Sequence, residues 1–126
     1  MIISWAAPDL LSSANGCRLQ YTFFDSMEIK QTSEFRRWLK KLKDKDAVMR
    51  IALRLRRIEL TGNLGDAKPL SDGVSELRFD FGPGYRVYFS RRGQIVLLLL
   101  VGGDKSSQQA DIAKAKKLNK KYFTGE

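Results

Sequence analysis

The spacing of hydrophobic positions changes once along the chain, from a helical period to a strand period. Phe35, Trp38, Leu39 and Leu42 fall at i, i+3, i+4 and i+7, one apolar stripe, while Arg36, Arg37, Lys40, Lys41 and Lys43 cover the other side. Thr32 or Ser33 caps this helix, and Glu34 in its first turn faces the positive end of the helix dipole. Asp44-Lys45-Asp46 makes a turn. A second helix then points Val48, Ile51, Ala52, Leu55 and Ile58 inward, carries Arg50, Arg54 and Arg57 as an outward basic stripe, and stops at Thr61-Gly62. The two read as a helical hairpin. Ahead of it, Glu28-Ile29-Lys30-Gln31 reads as a short edge strand.

Beyond the loop Gly62-Asn63-Leu64-Gly65-Asp66 the period is two. Leu77, Phe79 and Phe81 alternate with Glu76, Arg78 and Asp80; Tyr85, Val87 and Phe89 alternate with Arg86 and Tyr88. Gly82-Pro83-Gly84 reads as a three-residue hairpin loop, which pairs Phe81 with Tyr85, Phe79 with Val87 and Leu77 with Phe89. That register sets Arg78 opposite Tyr88 and Arg86 opposite Asp80 on an open polar face. Ile95 to Val101 is apolar throughout, as a central strand covered on both faces must be. Gly102-Gly103-Asp104-Lys105 leaves that strand. Ser106 and Gln109 have capping-box spacing for a last helix with Ile112, Ala115, Leu118 and Tyr122 on one side. The expected fold is α+β: an N-terminal helical hairpin packed on a small, mainly antiparallel sheet, with a C-terminal helix.

Residues 1–26 follow neither period. They mix Ile2, Ile3, Trp5, Leu10, Leu11, Phe23 and Phe24 with Pro8, Asn15 and Gly16, and they lack the basic start of a signal peptide. They read as an N-terminal extension ahead of a domain at 27–126, with Met27 as the expected natural start. Charge changes at the same boundary. The 126-residue chain has a formal net charge of +9, yet residues 1–26 hold only Arg18 against Asp9 and Asp25, which leaves +10 on residues 27–126. This exceeds the charge that solubility alone asks of a small domain and favours a polyanionic partner, through phosphate contacts and counterion release. With no histidine and a single cysteine, Cys17, the sequence excludes Ser-His-Asp triads, two-histidine ribonuclease chemistry and internal disulfides. Catalysis must then use Lys, Arg, Tyr, Asp or Glu, and no metal or other cofactor is expected.

Three segments carry a resemblance. Glu76-Leu77-Arg78, Gly82-Pro83-Gly84-Tyr85-Arg86-Val87-Tyr88-Phe89 and Leu100-Val101-Gly102-Gly103-Asp104-Lys105-Ser106-Ser107-Gln108 resemble the RelE/ParE toxin superfamily. The nearest likeness is to the HigB-like addiction module killer protein branch of type II toxin–antitoxin systems. The likeness spans Met27 to about Tyr122. It implies a RelE-like fold and a cytoplasmic toxin that cleaves messenger RNA on the ribosome. It also implies inhibition by a cognate antitoxin, a small helix-turn-helix protein encoded next to it, with operator DNA contacted only through that antitoxin and no membrane partner. The alternative is a ParE-like toxin that inhibits DNA gyrase without being an enzyme; a third reading is a degenerate member that binds only its antitoxin and operator complex.

RNA cleavage requires a 2′-hydroxyl to lose a proton, a pentavalent phosphate to be stabilised and a 5′-oxygen to gain a proton. Arginine forks match phosphate oxygens and keep their charge, which makes Arg78 and Arg86 the candidate catalytic residues, with Lys105. Both arginines also suit cross-strand pairing with Glu76 and Asp80. Tyr85, Tyr88, Ser106 and Gln108 are candidate substrate contacts. In the family comparison Arg86 falls on the arginine after Gly-Tyr, and Lys105 near a later basic residue. Val74 and Glu76 replace the lysines that precede the Leu-Arg pair in RelE, and Asp111 aligns near its C-terminal tyrosine. Lys105, Asp111, Tyr85 and Tyr88 are the general-base candidates.

Overall fold

Thr32 joins the first long strand to the first helix. Its hydroxyl accepts from Phe35 N–H at 3.0 Å, capping the helix, and donates to the Leu100 carbonyl at 2.6 Å. The residue is fully buried. Thr32→Val keeps the shape but breaks both bonds, so unfolding in denaturant should show a loss of about 2 kcal/mol.

The computed structural model describes residues 2–5, 27–93 and 96–124. Most of the expected N-terminal extension, with Cys17, Phe23 and Phe24, lies outside these, as does Ile95. The elements run β1 (Ile2–Ser4), β2 (Glu28–Thr32), α1 (Ser33–Lys41), α2 (Lys45–Thr61), β3 (Ala67–Pro69), β4 (Ser75–Arg78), β5 (Arg86–Arg92), β6 (Val96–Gly103) and α3 (Gln108–Thr124). The strands form one sheet in the order β1-β2-β6-β5-β4-β3.

The chain is α+β, but the expected arrangement is corrected. Among the described residues strands lead and no N-terminal helical hairpin is seen; α1 and α2 lie between β2 and β3 in sequence, and α1 packs on β6 and β2. The sheet is mixed and six-stranded. The helices return the chain so that β2 runs parallel to β6, with Ile29 beside Leu97 and Gln31 beside Leu99. β2 is not an edge either, because β1 pairs antiparallel along its outer side and Trp5 is buried in the core. The amphipathic patterns hold. Phe35, Ile51, Leu55 and Ile58 pack with Leu77, Val87, Phe89, Leu97 and Leu99 on one face. Val74, Tyr88, Leu98 and Leu100 pack with Ala115 and Leu118 of α3 on the other. Covered on both faces, β6 is as apolar as its central place demands.

The hairpin register also differs. Leu77 pairs with Val87 and Arg78 with Arg86, a shift of two residues from the pattern-based register. A shift of two keeps each side chain on its face, so hydrophobic alternation cannot detect it. The cause is the loop. Gly84 N–H bonds to the Phe81 carbonyl across a turn whose two glycines have φ of 54° and 80°, and the ladder resumes only at Phe79 and Tyr85. The loop is therefore longer than three residues, and Phe81 folds back onto Tyr85 and Arg50.

Candidate active site

The shifted register brings Arg78 and Arg86 directly opposite each other. Like charges so placed repel, and each is offset by its own carboxylate. Arg78 donates from Nε and Nη2 to Asp66 Oδ1, at 3.1 and 2.9 Å, not to a cross-strand acid as its alternative role supposed. Asp66 in turn is held by Arg54, which donates to its carbonyl at 2.7 Å and to the Leu64 carbonyl. Arg54 also lies over the Phe79 ring, 4.7 Å from its centre. The expected outward stripe on α2 is thus interrupted, for Arg54 fastens the 62–66 loop to the sheet. Burial is the main force lowering its pKa, opposed by Asp66.

Arg86 stands deeper, on a face that α3 covers rather than leaves open. Its side chain is 13% exposed and its Nε lies 4.0 Å from Glu76 Oε1. Nη1 donates to the Gly84 and Tyr85 carbonyls, at 3.1 and 3.2 Å. These anchors fix the guanidinium and leave Nη2 without a hydrogen bond among the described residues. Glu76 is buried and accepts a 3.4 Å bond from Gln108 Nε2 at the start of α3.

Lys105 follows β6, and its N–H reaches the Pro83 carbonyl at 3.4 Å, so the hairpin loop docks beside it. A side-chain carbon on Gly84 would lie 3.4 Å from Lys105 Cβ and 3.5 Å from Arg86 Nη1. Gly84 is therefore the gap through which the two cations meet one space. That space is a cleft of about 550 Å³ lined by Asp66, Arg78, Asp80, Arg86 and Lys105 together with the loop 81–84.

The structure gathers Arg78, Arg86 and Lys105 and leaves four proposed substrate contacts outside the cleft lining. Tyr88 is fully buried under α3, and its hydroxyl has no hydrogen-bond partner among the described residues. Burial, reinforced by Glu76 and Asp111, drives its pKa up. The Tyr85 ring is buried edge-on to Trp38, 6.4 Å between centres; burial and then Asp44 and Asp104 raise its pKa as well. Neither phenol is suited to act as a base near neutral pH. Gln108 is spent on Glu76, and Ser106 on Asp104. Asp111, another base candidate, accepts from the Ser107 hydroxyl beside Gly103. Two carboxylates of the cleft were not assigned there by pattern. Asp66 sits in the loop where the helical period gives way to the strand period, and the pattern reads Asp80 only as a partner for Arg86.

Asp104, not Ser106, caps the 3₁₀ turn at Lys105–Ser107 that precedes α3, and Ser107 completes the reciprocal box. The Ser106 hydroxyl, followed by the Ser106 backbone N–H, lowers the Asp104 pKa below its ordinary 3.8. A lowered pKa adds stability above the ordinary value and loses it as pH falls through and below that value. Asp104→Ala should cost about 1 kcal/mol at neutral pH. The gap in melting temperature between wild type and Asp104→Asn should narrow on acidification.

No helix among the described residues is long and apolar enough to cross a membrane. No family model matches the chain. It is 46% identical over 93 residues to a Haemophilus influenzae (strain ATCC 51907 / DSM 11121 / KW20 / Rd) protein described as uncharacterized; the match covers 74% of this chain and 93% of that one. At that identity and coverage, the chain belongs to the family of this Haemophilus influenzae protein.

Proposed function

We propose that the protein is the toxin of a type II toxin–antitoxin pair and acts in the cytoplasm as a ribosome-dependent mRNA endonuclease. The observation that carries this reading is the pairing of Arg78 with Arg86 at the mouth of one cleft with Lys105. Two forks and an ammonium converging on one space suit a phosphate that gains charge in the transition state. Arg86, held by two main-chain carbonyls, needs little reorganisation to point Nη2 at it.

In the proposed reaction the 2′-oxygen attacks phosphorus as its proton passes to a carboxylate, and Asp80 lines the cleft for that role. The bond from phosphorus to the 5′-oxygen breaks, and the Lys105 ammonium returns a proton to that oxygen. The products are a 2′,3′-cyclic phosphate and a 5′-hydroxyl. The ribosome would supply the message in the strained geometry this step needs. An acidic antitoxin is the proposed inhibitor: α2 exposes Met49 and Leu53 one turn apart beside Arg50 and Arg57.

Brief induction followed by mapping of new 5′-hydroxyl ends should find cuts inside translated messages. Intact messages with plasmids that lose negative supercoiling would favour the gyrase alternative.

A further inference from the structure

At the far end of β5 from Arg86 lies a second cleft, of about 640 Å³. Arg91, Arg92, Lys116, Lys117 and Lys120 line it, and among the described lining residues Asp72 is the one carboxylate. Asp72 is already matched, with Lys116 Nζ at 3.8 Å. We infer that this cleft binds the ribose-phosphate backbone of RNA, as a second site beyond the proposed cleavage cleft.

Its walls are tied together rather than loosely apposed. Asp72 and Gly73, with φ of 58° and 76°, turn the chain between β3 and β4. Asn119 of α3 donates to the Asp72 carbonyl at 3.1 Å, and Lys116 donates to Ser71 Oγ at 2.6 Å. The same Asn119 accepts from Arg92 Nη2 at 3.2 Å, and Ser90 Oγ accepts from Arg92 Nε at 3.4 Å. One amide therefore fixes the turn to the helix and aims the arginine.

Charge and reach select the occupant. Arg86 and Arg92 are the two ends of one strand, roughly 20 Å apart at about 3.3 Å per residue. A backbone with a charge at every nucleotide can engage both ends at once; a compact acidic side-chain cluster cannot. The message and ribosomal RNA share this chemistry. The inference rests on the endonuclease reading for its choice of RNA, and its test reads binding rather than cleavage.

The probe is a fluorescent 2′-O-methyl 15-mer, uncleavable because its 2′-oxygen carries no proton. Lys117→Gln with Arg91→Gln removes the charge of two exposed lining side chains. The slope of log affinity against log salt should fall by about 1.4, at about 0.7 per lost contact on a single strand. Asn119→Ala, melting-checked, should weaken binding without removing a charge. An unchanged slope overturns the inference, and so does loss of poly-glutamate binding with RNA binding intact. Weaker sedimentation with empty ribosomes assigns the site to ribosomal RNA; loss confined to the oligonucleotide assigns it to message, and either supports it. If wild type cuts no message but the slope still falls, the endonuclease reading alone fails. If message is cut and the slope is unchanged, the second cleft alone fails.

Discussion

Arg86→Ala should lower message cleavage by about 10²- to 10³-fold, the usual loss when a donor to developing charge is removed. It should also destabilise the fold. Glu76 is only 3% exposed and would lose the cation beside it, a defect on the order of 3 kcal/mol. The two effects separate in Arg86→Lys. Lysine returns a positive charge to Glu76, so most of the stability should return, measured as the midpoint of urea unfolding. It cannot bond the Gly84 and Tyr85 carbonyls and still present a fork to phosphate, so cleavage should remain lost. Arg78→Ala should be milder on both counts. Arg78 is more exposed and its partner Asp66 lies in solvent, where an ion pair contributes little.

Gly102→Ala should be the more damaging of the two glycine-to-alanine changes in β6, costing on the order of 3 kcal/mol. A Cβ at this buried position of β6 would overlap the Trp38 ring. That ring is part-buried and packs between Phe35, 5.8 Å away, and Tyr85, 6.4 Å away, so it must shift against both. Overpacking of this kind commonly costs 1–3 kcal/mol, and here a rigid indole must yield, so the upper end applies. Gly103→Ala meets the Asp111 carboxylate, the end of a movable side chain, and should cost less. Comparing the two by thermal unfolding checks whether Trp38 is seated as described. Equal, small losses would show that it is not.

The sequence made the helices legible because their stripes are long. Thr32, Asp44 and Gly62 all act as caps, and Ile51, Ala52, Leu55 and Ile58 are buried as the period of α2 marks, with Ala47 rather than Val48 completing the face. Tertiary pairing was less legible. Nothing local in Glu28-Ile29-Lys30-Gln31 encodes that β2 runs parallel to β6, since that depends on where two helices return the chain. Ala67–Pro69 is too short and too polar to read as a strand, yet it pairs with β4. Two consequences reached the site. A hairpin register wrong by two preserves the faces but changes who stands opposite Arg78. An apparently open polar face holds Glu76 and Tyr88 buried, because α3 crosses it. The three cations were nonetheless legible, as they flank the glycine-rich turn and the end of the central strand. Asp80 was visible as a charge, but its place in the cleft follows from a loop whose length only the backbone sets.

In the proposed function the paired-arginine cleft cuts message on the ribosome. The most direct measurement is cleavage of an end-labelled message on purified, stalled ribosomes by wild type and by folded Arg86→Lys. The account predicts 5′-hydroxyl cuts by wild type, dependent on the ribosome, and a loss of 10²-fold or more in the variant. Equal cutting by the two proteins, or intact message with wild type at saturating concentration, would contradict it.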